Sequence, residues 1–391
     1  LRRPSGWVWP FVISLLCTLW ANSYVVMFFF YPVYLRKVGL EPWWIGLAMG
    51  SFYGATAVVR PTGGVALERM GWRRTAFLSF ALMFLSSLGV FGARGPVGVL
   101  ASRVLGGFGY GLALVALTAY QSVVVPARAR GGSFAWVSVC YVLPQVVFLP
   151  LVEISFARDF HLPYRASFSI FSLLFLVFSL RLREVGEVEL EEGVGLGDWG
   201  GFGELLRTEG LFVYLFASFL FGAINGTVLM FTSTLASERG LSSSLFLSLN
   251  ALVAMSARVF GNSLLNRANR FLWLGPSMGA MVAALGLLPA ASTNLQMAAV
   301  SALYGLGMAV SFPFVLAMAS DLVPLRLRPK ASSLAWVFMD LSWLLVPLLV
   351  GAVSSSWGVS SAFRLVFVSS IPSLAVLELL LVSLARRYAT R

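Results

Sequence analysis

The chain has 391 residues, of which 59% are hydrophobic and 11% charged, with a formal net charge of +12. Soluble domains carry about 25% charged residues, so this composition excludes a soluble enzyme, a nucleic-acid binder or a secreted scaffold as a reading of the whole chain. Two cysteines, Cys17 and Cys140, and a single histidine, His161, offer neither a disulfide framework nor a metal site, and no cofactor is implied.

Long charge-free stretches define the elements. None of Pro4 to Leu35, Val104 to Ala127, Gly131 to Val152 or Gly210 to Ser237 holds a charge, and 50 uncharged residues run from Phe271 to Ser320. About 20 apolar residues cross the hydrocarbon of a bilayer, so apolar windows between charges and turn residues predict twelve spans. They fall at 7–31, 43–66, 75–93, 96–124, 133–155, 163–182, 210–236, 242–265, 271–291, 294–323, 332–355 and 360–384. The first is too long for the apolar region of a signal peptide and is expected to stay as an uncleaved span. Lipid supplies no hydrogen-bond partners to the backbone, and barrel-type alternation is absent, so the spans are helices.

Twelve spans place both termini on one side. With the N-terminus inside, 18 of the 28 Lys and Arg residues lie in inner segments and seven in outer ones. Both termini are therefore expected in the cytoplasm, and the chain in the plasma membrane. Between the sixth and seventh spans, Arg181 to Glu209 holds eight of the 16 acids among glycines. It reads as a solvated linker, which divides the chain into residues 1–182, an acidic glycine-rich segment at 183–209 and residues 210–391.

The two halves match. An offset of 198 residues aligns Arg60 with Arg258, Gly63 with Gly261, Arg69 with Arg267, Gly107 with Gly305, Gly109 with Gly307 and Pro126 with Pro324. At an offset of 200, Ser133-Phe-Ala-Trp-Val137 meets Ser333-Leu-Ala-Trp-Val337. Each repeat has an even number of spans, so the halves enter the membrane in the same direction and are related by an axis along its normal.

The loop between the second and third spans reads Arg60-Pro-Thr-Gly-Gly-Val-Ala-Leu-Glu68-Arg69-Met-Gly71-Trp-Arg73-Arg74. It resembles the signature loop of the major facilitator superfamily, G-x-x-x-D-R-x-G-R-R: Gly64 opens it, Glu68 stands at the usual Asp, and Trp72 intervenes before Arg73 and Arg74. Arg103-Val-Leu-Gly-Gly-Phe-Gly109 resembles that family's fourth-span motif. The markers of its drug–proton antiporters (a Gly-Pro-rich fifth span) and of its sugar porters (a Pro-Glu-Ser-Pro-Arg run after the sixth) are both missing. The resemblance implies an all-α fold of two pseudo-symmetric six-helix bundles and a secondary transporter, a permease or efflux protein rather than an enzyme. It also implies that spans one, four, seven and ten line a central cavity, and that the loop acts as a gate through Gly64, Glu68, Arg69, Gly71, Arg73 and Arg74. Glu68 is expected near the N-terminus of span eleven, where unpaired N–H groups and the helix dipole favour a carboxylate.

Charged side chains within spans are costly and mark function or pairing. Arg103 in span four and Asp340 in span eleven are the candidates for substrate or coupling contacts, with Asp340 expected to pair with Arg60 or Arg103. Arg60 and Arg258 read as structural anchors between bundles, and Glu378 in span twelve as reaching toward the inner interface. Among neutral residues, Asn22, Tyr110, Gln121, Asn225 and Tyr304 are the substrate candidates on cavity-lining spans. Tyr24, Tyr141, Gln145 and Asn250 are weaker ones, and Trp9, Trp43, Trp44, Trp136 and Trp336 read as lipid-facing or interfacial. Three intramembrane arginines against Asp340 favour an anionic small solute, with protons as the coupling ion and the bilayer as the other partner; nucleic acid is not expected, and the chain is expected as a monomer. The absence of a nucleotide-binding loop argues against ATP drive. A membrane-embedded enzyme or a non-transporting receptor on the same fold is the alternative.

Overall fold

The computed structural model describes residues 7–92, 95–126, 130–182, 202–261, 269–324 and 327–389. All regular structure among them is helical, and eleven helices are long and apolar enough to cross a membrane. The predicted second and third spans belong to one helix, Pro42–Gly92, broken at Gly71, where φ is 74°. A glycine tolerates that left-handed backbone without steric cost. The next residue, Trp72, anchors the break: it is buried, its indole N–H donates to the Ser179 carbonyl at 3.2 Å, and its ring lies 5.0 Å from that of Tyr120. The family pattern has no tryptophan there, and here it pins the loop to the ends of spans four and six. Of the linker, 183–201 lies outside the described residues, as does 262–268 in the second copy of the loop.

Helix starts follow local chemistry. Ser242, Asn269 and Thr293 each accept a backbone N–H of the following turn on the side-chain oxygen, and proline stands in the first turn of the helices starting at Pro96 and Leu162. These residues satisfy or remove donors that a helix N-terminus leaves unpaired.

The chain divides into two compact units, Leu1–Tyr31 with Ser51–Gly195, and Pro32–Gly50 with Leu196–Arg391. Within each, the same glycine contacts recur at the 198-residue offset. In the first unit Gly107 lies against the Phe52 backbone and Ala55, and Gly109 against Ser79 and Met83. In the second, Gly305 lies against the Asn250 backbone and Val253, and Gly307 against Ser277 and Met281. Every partner is displaced by the same 198 residues as its glycine. Span four therefore docks onto spans two and three as span ten docks onto eight and nine, which makes the chain two pseudo-symmetric six-helix bundles.

In the second unit, residues 42–50 pack on span eleven, backbone to backbone. A Cβ on Gly46 would strike the Pro347 carbonyl oxygen and come within 2.8 Å of the Gly351 Cα; one on Gly351 would lie 2.8 Å from the Pro42 carbonyl oxygen. Beside this contact Arg36 and Glu238 form an ion pair. Of the tryptophans, Trp9, Trp43 and Trp136 are exposed as expected of a lipid-facing belt, whereas Trp336 is half-buried and meets the Phe312 ring edge-on at 6.1 Å.

Two outcomes test these seams. Gly107→Ala and Gly305→Ala each force a methyl group against a neighbouring backbone oxygen, and overpacking of this kind costs about 1–3 kcal/mol. Each should lower the thermal unfolding midpoint of the purified protein, whereas Gly92→Ala, with nothing within 4 Å of its Cβ, should not. Gly46→Val and Gly351→Val should separate residues 42–50 from span eleven. A cysteine placed at Ile45, buried in the parent, should then react faster with a membrane-impermeant thiol reagent; unchanged reactivity would show that the seam does not keep Ile45 buried.

Candidate functional site

The polar candidates of the sequence come together in pairs, one set in each unit. On span one, Ser14, Thr18 and Asn22 are four residues apart and so stand on one helix face. Tyr110 of span four donates its hydroxyl to Asn22 Oδ1 at 2.9 Å, and Asn22 Nδ2 donates to the Thr18 carbonyl at 2.8 Å. One turn away, Gln121 Nε2 donates to Thr18 Oγ1 at 2.9 Å, and that hydroxyl donates to the Ser14 carbonyl at 2.9 Å. Spans one and four are thus joined by two side-chain hydrogen bonds at different depths. Thr18, the hub, escaped the sequence reading; its place in the four-residue polar stripe was the signal for it.

The second unit repeats the device. Tyr304 of span ten donates to Asn225 Oδ1 of span seven at 2.7 Å. Asn250 of span eight bonds the carbonyls of its own helix, Phe246 and Leu247, while Ser301 of span ten donates to the same Phe246 carbonyl at 2.7 Å. All these residues are buried, which is why each donor needs a protein acceptor.

Arg103 is wholly buried in the first unit, about 10 Å along span four from its N-terminal end. Its guanidinium carbon lies 3.7 Å from the centre of the Phe28 ring and 4.4 Å from that of Phe52, with Tyr31 at 5.7 Å. Ring faces attract a cation and offset part of its lost hydration. Around this group Tyr24 packs edge-on to Phe28 and Phe168 and donates its hydroxyl to Ser86 Oγ at 2.7 Å. The sequence marked Arg103 as a candidate for substrate or coupling contact; aromatic residues lie around it.

Arg258 is held by the backbone of span ten. Its Nε donates to the Ala309 carbonyl at 3.2 Å and its Nη2 to the Met308 carbonyl at 3.0 Å. Pro313 explains the first bond, because it lacks the N–H that would otherwise bond Ala309 within the helix. Arg60, at the matching place in the first unit, lies within electrostatic reach of Tyr141 on span five. Asp340 is buried on span eleven, whose neighbouring turn closes on span seven through Ser342 and Met339 at Gly222.

Two further ion contacts had no sequence signal beyond charge. Arg270, opening span nine, donates to both carboxylate oxygens of Asp321 at 2.7 and 2.8 Å. Arg239 donates to the Ala291 carbonyl and to Ser360 Oγ, each at 3.0 Å, and so ties three connections together at one end of the second unit. In the signature loop Arg69, Arg73 and Arg74 are exposed and Gly71 supplies the break, whereas the side chain of Glu68 and the surroundings of Gly64 lie outside the described residues.

Comparison with known proteins follows the same lines. A model of the Major Facilitator Superfamily matches residues 11–295. Monosaccharide-sensing protein 3 of Arabidopsis thaliana is 35% identical over 103 residues, which are 25% of this chain but only 14% of that protein's length. Among solved structures, a bacterial homologue of the human lysosomal transporter Spinster superposes with a TM-score of 0.75 at 12% identity, covering 99% of each chain. A D-xylose–proton symporter superposes with a TM-score of 0.73 at 16% identity, covering 95% of this chain and 97% of its own. With the signature loop, the two repeats and a family match over more than half its length, the chain belongs to the major facilitator superfamily.

Proposed function

We propose that the protein is a secondary transporter that carries a small solute across the plasma membrane by alternating access, its two six-helix repeats rocking about a site near the midplane. The observation that carries this reading is the internal locking of each repeat. Spans one and four, and spans seven and ten, are each tied by a Tyr–Asn hydrogen bond and flanked by the same glycine seams, so that each repeat can move as one body. The solute would meet the polar faces of Asn22, Tyr110 and Gln121 on one side and Asn225 and Tyr304 on the other. Three arginines within spans, Arg60, Arg103 and Arg258, set against Asp340 favour an anionic solute. Protons are the proposed coupling ion, carried by Asp340, with both termini in the cytoplasm and the chain acting as a monomer.

A thermal-shift screen of the purified chain against a metabolite library identifies the solute, since a ligand at about 100 times its Kd stabilises by about 2.7 kcal/mol. In liposomes, a pH gradient should then drive saturable accumulation of that solute. Asp340→Asn should abolish the pH-driven accumulation and leave exchange at constant pH largely intact; full pH dependence in the variant sinks the coupling role. No saturable flux of any stabilising solute would instead favour a receptor on the same fold.

The locking bonds have their own test. Tyr110→Phe and Tyr304→Phe each leave a buried Asn oxygen without its donor, at a cost of about 1–3 kcal/mol. Both variants should unfold at lower temperature than the parent, and wild-type stability in both would show that the bonds do not hold the repeats together.

A further inference from the structure

Span nine, Arg270–Leu287, meets span twelve, Val359–Ala389, along a stripe of glycines in the second unit. Phe367 faces Gly286, Leu374 faces Gly279, and Glu378 faces Gly275. Gly275 and Gly279 are four residues apart, the small-residue spacing that lets two helices approach closely in lipid. Two of the three knobs set into this stripe are apolar. The third is a carboxyl, and a Cβ on Gly275 would fall upon it.

The expectation that Glu378 reaches the inner interface is therefore corrected: its side chain turns into the helix seam instead of running along the helix. Its Cα stands about 12 Å along the helix from Arg386 and its carboxyl faces a residue about 8 Å along span nine from Arg270, so both lie at hydrocarbon depth. Among the described residues Glu378 Oε2 is buried with no hydrogen-bond donor. The residue as a whole is only half-buried, and its neighbours Val376 and Leu379 are exposed on the outer face of the helix.

The charges around it do not compensate a carboxylate. Span nine carries Arg270 alone, which is engaged by Asp321. Span seven carries no charge, and span eleven carries Arg328, Lys330 and Asp340. On span twelve itself the flanking charges are Arg364, about four turns away, and Arg386 and Arg387, about two turns or more away. A charge at such depth is disfavoured by roughly a hundredfold.

We propose that Glu378 is held in this seam as the neutral acid and is open to reaction from the hydrocarbon side, which makes it a modification site for lipid-soluble reagents that activate carboxylic acids. With a carbodiimide the step balances without any further reactant. The acid proton passes to a carbodiimide nitrogen, the carboxyl oxygen bonds to the central carbon, and the resulting O-acylisourea rearranges by acyl transfer from oxygen to nitrogen into a stable N-acylurea. No atom leaves.

The test uses the full chain in phospholipid vesicles, treated at mildly alkaline pH with dicyclohexylcarbodiimide or with a water-soluble carbodiimide, followed by mass mapping of peptides. The expected result is an adduct at Glu378 from the lipid-soluble reagent alone, absent in Glu378→Gln, which keeps the shape of the side chain. Gly275→Ala fills the notch and should change the rate of labelling at Glu378 severalfold. Absence of an adduct at Glu378, or equal labelling by both reagents, overturns the proposal, and an unchanged rate in Gly275→Ala overturns the placement of the carboxyl in the seam.

Discussion

Water drives apolar helices together in a soluble protein; hydrocarbon does not, because lipid tails are as apolar as the side chains they would release. Association then depends on how closely two helices can approach, and in this chain the approach is made at glycines. Gly107 and Gly305 bring span four against span two and span ten against span eight at the distance of a backbone carbonyl. Gly109 and Gly307 do the same toward spans three and nine. The fourth helix of each repeat is thereby fixed against two neighbours at once. What remains for side chains is to join it to the first helix, and in both repeats that is done by a tyrosine hydroxyl on an asparagine oxygen.

Buried polarity is absorbed by the same economy. Arg258 bonds carbonyls of span ten, one of which Pro313 has left without a helical donor, so a break in one helix becomes the anchor for its neighbour. Arg103 is surrounded by ring faces, which offset part of its lost hydration without adding acids to the membrane interior. Proline and aromatic residues, which read from sequence as breakers and filler, thus make room for cations in the membrane.

The parts of this fold legible in the sequence are those that depend on one residue type at one spacing. The 198-residue offset was visible because glycine and arginine are set apart in so apolar a composition, and Gly107 and Gly109 proved to share their contacts with Gly305 and Gly307. The Tyr–Asn bonds were visible only as separate residues. Asn22 and Asn225 differ by 203 positions and Tyr110 and Tyr304 by 194, so no single offset pairs them. The enclosure of Arg103 was not visible either, because Phe28, Tyr31 and Phe52 are ordinary residues of an aromatic-rich chain until folding brings them to one point. Glu378 shows the same limit. Sequence marks the acid and the glycine spacing separately, and only the seam between spans nine and twelve places one upon the other.

The repeats share backbone contacts but not polarity. At the offset that aligns Gly107 with Gly305, Arg103 corresponds to Ser301 and Phe52 to Asn250. The cation on an aromatic face in the first repeat is replaced in the second by a serine that donates to the Phe246 carbonyl beside an amide bonded to the same group. In span eleven Asp340 stands where span five has Cys140, so at this position the second repeat holds an acid and the first does not. Side chains thus differ between repeats that share their helix seams without altering how either bundle packs, because the seams are made by backbone and glycine, and the changed residues lie beside them.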